Sequence, residues 1–168
     1  MLVKRFFACL LALALLVGML SGCAAEPMVL FTDSLGRKVR VPASLTRVAP
    51  SGAVASMFLA VVAPEYMSTI NATPSSSQYR YLNPRLIGLP TTGQMYGSKS
   101  TLNLESILSS GTQVVIDIGD KKDNMAADLD ALQRQIGIPV IFIEAKLSDY
   151  GAAYERLGEL LGMEERGS

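Results

Sequence analysis

Thr112–Ala145 reads TQVVIDIGDKKDNMAADLDALQRQIGIPVIFIEA, and this stretch decides the fold. Its two ends, TQVVIDIG and PVIFIEA, are short runs of β-branched and apolar residues. Runs of that length and composition read as strands covered on both faces. Between them Met125, Leu129, Leu132 and Ile136 recur at spacings of four, three and four. That spacing puts them on one face of a helix from about Asp123 to Ile136. Gly137 follows, where a helix end favours a residue that tolerates positive φ. A strand, a helix and a second buried strand make a parallel crossover unit.

The same alternation extends outward. Downstream, Ser148 is expected to cap a last helix with Tyr150, Tyr154, Leu157 and Leu161 on one side. Upstream lies a short helix, Asn103–Ser109, with Glu105 in its first turn, where a negative charge suits the helix dipole. Leu86–Leu89 and, more weakly, Ser68–Ala72 read as strands. Between them the polar and aromatic TPSSSQYRYLN (Thr73–Asn83) reads as a loop with a short helix. Gly52 to Val62 is apolar all round and is therefore expected to be a buried helix, capped by Ser51 and stopped by Pro64. Arg47–Ala49 is a short strand. Val29–Thr32 and Lys38–Val41 form a hairpin about Asp33-Ser34-Leu35-Gly36, a run with turn chemistry. The fold class is α/β: a parallel β-sheet sandwiched by helices, a Rossmann-like lobe, with an N-terminal β-hairpin. Ligands of such sheets meet the loops that leave the carboxyl ends of strands. Here those loops are Pro50-Ser51-Gly52, TTGQMYGSKS (91–100), Gly119-Asp120-Lys121 and Glu144-Ala145-Lys146.

The chain begins with a short basic start, Lys4 and Arg5, and an apolar run from Phe6 to Leu20. The run is short for a membrane-spanning helix and fits a signal peptide. Leu20-Ser21-Gly22-Cys23 resembles the lipobox of bacterial lipoproteins. That resemblance implies cleavage before Cys23 and acylation of Cys23, a firm membrane anchor. The expected layout is a lipoprotein signal peptide over 1–22, a tether over 23–28 and a folded lobe over 29–168. Cys9 leaves with the signal, so no cysteine remains for a disulfide or a thiolate metal site. The chain has no histidine, which excludes histidine-based catalysis, zinc sites and haem ligation by histidine.

The 15 Lys and Arg balance the 15 Asp and Glu. Loss of Lys4 and Arg5 tips the balance by two toward the acidic side, which gives no electrostatic case for nucleic acid. The glycines form neither a P-loop nor a G-x-G-x-x-G. Asp117, Asp120 and Asp123 suggest a hard-metal cluster by spacing, but Asp117 sits inside an apolar strand, where bonding to backbone or a neighbouring loop is the better reading. No metal, cofactor or enzyme activity is expected.

Four segments carry a likeness to a known family: FTDSLGRKVRVPASLTRVAPSG (31–52), GQMYGSKSTLNLESILSSGTQVVIDIGD (93–120), LQRQIGIPVIFIE (132–144) and YERLGELLGMEER (154–166). In order and spacing they resemble the class III substrate-binding proteins of ABC importers for iron–siderophores, haem and cobalamin. The first has an aspartate–glycine–arginine hairpin and an arginine–valine strand ending at a small-residue loop. The second has the asparagine–leucine–glutamate helix start and a strand. Thr112-Gln113 stands where the family has proline–aspartate. The family has two lobes joined by a long helix. This chain stops near where that helix begins, so it resembles the N-terminal lobe, with the second lobe absent.

The resemblance implies an extracytoplasmic, membrane-anchored protein that binds a metal chelate (a ferric siderophore, haem or a corrinoid) and hands it to an ABC permease. Ligand-binding candidates are Ser51 and Gly52, Gln94, Met95, Tyr96 and Gly97, and Gly119 and Asp120. Asp120 is equally expected to cap the next helix. Tyr79, Arg80 and Tyr81 are a weaker candidate mouth for an anionic ligand. Glu105, at the family's motif position, is the candidate for docking on a permease arginine. Two other readings stand beside this one: a truncated fragment that binds nothing, and a single-lobe lipoprotein that pairs with another protein.

Overall fold

The computed structural model describes residues 26–96 and 102–168. The expected signal peptide, Cys23, the first part of the tether and Gly97 lie outside the described residues. Three parallel strands, β3 (Val48–Pro50), β4 (Val114–Gly119) and β5 (Val140–Glu144), form the sheet in the order β3-β4-β5. An antiparallel hairpin, β1 (Met28–Thr32) and β2 (Lys38–Pro42), lies apart from it. Among the described residues five α-helices follow in chain order: α1 (Ala53–Val62), α2 (Leu104–Ser109), α3 (Met125–Ile136), α4 (Tyr150–Leu161) and α5 (Glu164–Gly167).

Strand periodicity divides the core into two layers. Val114, Ile116 and Ile118 of β4, with Ile141 and Ile143 of β5, pack against α1 and α4. Val115, Val140 and Phe142 face the other way, onto α3 and Ile107 of α2. The helix-spaced quartet Met125, Leu129, Leu132 and Ile136 is buried as its spacing predicts. Gly137 closes α3 with φ 67. Phe58 of α1 stacks on Tyr154 at 4.3 Å between ring centroids and meets Tyr150 edge-on at 5.3 Å, joining α1 to α4.

Some expectations need correction. Helix α1 is buried on one face only: Phe58, Leu59 and Val62 are inside, while Met57 and Val61 are 49% and 63% exposed. A helix on one side of a single sheet has an outer face whatever its composition, and an all-apolar sequence does not say which face that is. Of the strand expected over Ser68–Ala72 only an isolated bridge remains, Ile70 with Thr91, and the strand expected over Leu86–Leu89 does not form; a second bridge joins Val48 to Met67. Pro84–Leu86 is instead a 3-10 turn with Pro84 at its start and Asn83 capping it. Residues 76–82 form turns rather than a helix. Asp149, not Ser148, caps α4, accepting from the Ala152 N–H. The two neighbours have the same capping chemistry, and the strand-to-helix geometry selects the later one.

The hairpin turn is held together at Asp33. The buried carboxylate of Asp33 accepts from the backbone N–H groups of Leu35 and Arg37 at 3.0 and 2.9 Å. It also pairs with the Arg37 guanidinium at 3.0 Å and accepts from the Phe142 N–H at 3.4 Å. Arg37 reaches on to Asp130 of α3 at 2.9 Å. Gly36, with φ 78, permits the tight return. At the amino edge, the Gln113 side-chain carbonyl accepts from the N–H groups of Thr46 and Arg47 at 2.8 and 3.0 Å.

Candidate functional site

The parallel register sets Pro50 of β3 beside Ile116 of β4. The next residues, Ser51 and Asp117, therefore lie side by side on the α3 face at the carboxyl edge of the sheet. The Ser51 N–H donates to the Ile116 carbonyl at 2.9 Å, and the Ser51 hydroxyl donates to the Asp117 carboxylate. Both residues are buried. This bond overturns the expectation that Ser51 caps α1: the cap position is Gly52, with no side-chain hydrogen bond. Helix α1 begins one residue too late for Ser51 to stand at its cap, and the hydroxyl proton goes instead to the carboxylate on the adjacent strand.

The 91–96 loop is laced onto the end of β3. The Thr92 hydroxyl donates to the carbonyls of Pro50 and Ile70 at 3.2 and 3.3 Å. The Met95 N–H donates to the Ser51 carbonyl at 2.8 Å. Lacing holds Gln94 and Tyr96 over Ser51, beside a half-open cavity of about 150 Å³. Its lining includes Ser51, Gly52, Gln94, Tyr96, Asp117 and Lys122.

The electrostatics of the cavity are mixed. Burial pushes the Asp117 carboxyl pKa up, against the opposing pull of the Ser51 hydroxyl and the Lys122 charge. Burial and the charges of Asp117 and Asp128 push the Tyr96 phenol up to about 12. Tyr96 is therefore a neutral hydroxyl at physiological pH. That hydroxyl is buried and has no hydrogen-bond partner among the described residues. The Lys122 ammonium stands 4.3 Å from the centroid of the Tyr96 ring. One neutral phenol, one carboxylate and one ammonium can orient a polar group of a ligand by hydrogen bonds, with an aromatic wall beside it.

Of the eight ligand-binding candidates, Ser51, Gly52, Gln94 and Tyr96 are brought together. Met95 packs on the α3-side core and is tied by its backbone. Gly97 lies outside the described residues. Gly119 ends β4, with its carbonyl accepting from Ala145 N–H at 2.9 Å. Asp120 is exposed and does not line this cavity. Nor does Asp120 cap α3, whose cap residue is Asn124 at φ 59. Glu105 is exposed in the first turn of α2, which Asn103 caps by accepting from Ser106 N–H.

Tyr79, Arg80 and Tyr81 are exposed, with Arg80 5.8 Å from the Tyr81 ring. Tyr81 and Gln78 belong to a different groove, about 520 Å³, alongside the outer face of α1. Among the described residues no group of three His, Cys, Asp or Glu is placed to hold a metal ion. No helix among them is long and apolar enough to cross a membrane. Sequence reasoning named Asp117 without its partner and left out Lys122. The available signal was a lone charge in an apolar strand, on the same alternate face as Val115.

No protein-family model matches the chain, and no curated protein matches it. Solved structures do. An ABC transporter solute-binding protein from Sulfurospirillum deleyianum DSM 6946 superposes with a TM-score of 0.69 at 23% identity, over 82% of this chain and 43% of that one. The molybdate periplasmic binding protein MolA of a Haemophilus influenzae ABC transporter, bound to molybdate, gives 0.61 at 18% identity, over 83% and 48%. The haem-binding protein HmuT gives 0.56 at 20% identity, over 87% and 44%. The chain thus spans less than half the length of the solved structures it matches. The parallel three-stranded sheet, its two helical layers and the hairpin have the fold of a lobe of ABC-transporter periplasmic solute-binding proteins, in agreement with the likeness read from the four sequence segments.

Proposed function

We propose that this chain is the N-terminal lobe of an extracytoplasmic solute-binding component of an ABC importer, one that takes a metal chelate such as a ferric siderophore, haem or a corrinoid. The single observation that carries the reading is the gathering of Ser51, Gly52, Gln94 and Tyr96 at the carboxyl edge of the sheet. It is there that open parallel sheets bind ligands. A cavity of about 150 Å³ is smaller than the roughly 300–1,000 Å³ of small-molecule sites, so it takes one corner of such a ligand and leaves the rest to a facing surface. The buried Tyr96 hydroxyl supplies a donor for a ligand carbonyl or oxyanion, and Lys122 supplies the positive charge beside it.

In this reading Cys23 carries lipid and tethers the lobe to the cell membrane, and Glu105 docks on the permease. The chemistry of the chain is binding, and ATP hydrolysis belongs to other subunits. Titration calorimetry of the full chain against ferric siderophores, haem, cobalamin and molybdate tests the proposal. Heat with a chelate or corrinoid, with binding about tenfold weaker in Tyr96→Phe, supports it. Absence of heat with all of them sinks the chelate reading and favours a lobe that pairs with another protein.

A further inference from the structure

The hairpin register puts Met28 opposite Pro42, Leu30 opposite Arg40 and Thr32 opposite Lys38. These six residues share one face; of the alternate residues, Phe31, Val39 and Val41 are buried in the core and Val29 is 48% exposed. On the outer face Met28 is 45% and Leu30 60% exposed, and Lys38 and Arg40 are exposed beside them. Neither Lys38 nor Arg40 is ion-paired among the described residues. Two apolar and two basic side chains therefore lie together on one exposed two-stranded face. Arginine and lysine carry their charge at the end of an apolar stem, so all four groups suit one boundary, apolar below and anionic above.

The position of the face in the chain names that boundary. Met28 stands five residues after Cys23, a reach of no more than roughly 18 Å for extended chain. We infer that the outer face of the hairpin, made by Met28, Leu30, Lys38 and Arg40, rests on a lipid surface bearing anionic headgroups. The inference rests on the proposed lipid on Cys23. So short a lead keeps the hairpin within reach of the headgroups at all times, and the face is then used whenever the lobe is not pulled away. Apolar contact comes from Met28 and Leu30. Lys38 and Arg40 add an attraction that weakens with salt, because headgroup charge is screened.

The test uses the full chain, processed and recovered from membranes, in vesicles of phosphatidylcholine with or without phosphatidylglycerol. A Leu30→Cys variant carries a polarity-sensitive fluorophore, and Ala127→Cys, exposed on α3, carries the same label as a control. Lipid-borne nitroxide is expected to quench the label at position 30 several-fold more than at 127. Omitting phosphatidylglycerol, or introducing Lys38→Glu with Arg40→Glu, is expected to reduce that difference. Equal quenching at the two positions in a protein that stays with the vesicles overturns the inference and leaves the anchor standing. Recovery in the aqueous phase, with no acyl chain on Cys23 by mass spectrometry, overturns the anchor and the inference with it. Shielding at position 30 that persists without lipid and grows with protein concentration assigns the face to a second copy of the chain and overturns the inference.

Discussion

The hydroxyl of Ser51 donates to the carboxylate of Asp117 across the carboxyl end of two parallel strands, 66 residues apart in the chain. Burial holds the Asp117 pKa above the ordinary carboxylate value. The folded chain therefore keeps this proton to higher pH than the unfolded chain does. The associated stability is full below the ordinary carboxylate range and is lost as pH rises through the raised value. Asp117→Asn keeps an acceptor for Ser51 and removes the titration. Denaturant melts from about pH 4 to pH 7 are expected to move in favour of the variant as pH rises. Parallel curves for the two proteins defeat this account of the pair.

Asp33→Ala is expected to destabilise the lobe by about 3–5 kcal/mol, the range for breaking a buried ion pair by removing one partner. The Asp33 side chain has no exposure and that of Arg37 only 10%. The substitution leaves the guanidinium with Asp130 alone and removes the acceptor for three backbone N–H groups. Urea unfolding measures it. A loss below about 1 kcal/mol, the scale of a surface pair, means that the hairpin turn is not the brace described above.

Phe58→Ala removes a fully buried ring from between α1 and α4. The expected cost is about 3–5 kcal/mol, from lost transfer free energy and the cavity left behind. The outer-face substitution Val61→Ala in the same helix, at 63% exposure, is expected to stay within about 0.5 kcal/mol. Equal effects at the two positions contradict the one-sided burial of α1.

Tyr96→Phe deletes a buried hydroxyl that has no partner among the described residues. Removing an unsatisfied group is close to neutral or stabilising, so melting is expected to change by less than about 0.5 kcal/mol. Whichever chelate gives calorimetric heat is expected to bind roughly tenfold more weakly, the worth of about one hydrogen bond. A strongly destabilised variant shows instead that the hydroxyl holds the loop and is not reserved for a ligand.

What the sequence disclosed follows physical range. Strands β4 and β5 and the buried face of α3 were legible because apolar runs and helical spacing are local signals. The Asp33 turn was legible because its chemistry acts within four residues. Ser51 was misread because its strongest partner is set by strand register, which no local window contains. The same holds for Lys122, whose tie to Tyr96 appears only once the 91–96 loop is laced onto β3. The outer face of α1 was illegible for the opposite reason: Val54, Met57 and Val61 are as apolar as the residues that face the sheet. The bridge of Ile70 to Thr91 sits directly after Pro90, and a proline lacks the N–H that a full ladder requires.

The contact of Phe58 with Tyr150 and Tyr154 has an optical consequence. The chain has six tyrosines and no tryptophan. Two of those tyrosines are clamped against one ring at fixed angles, 27° for Tyr154 and 75° for Tyr150. Rings held in a chiral setting give near-ultraviolet circular dichroism, and freely turning ones do not. With no indole band to overlay it, the tyrosine signal near 275 nm carries the seam between α1 and α4 among its contributions, and its change on Phe58→Leu isolates that part. That difference reads whether the seam is shut without any label on the protein.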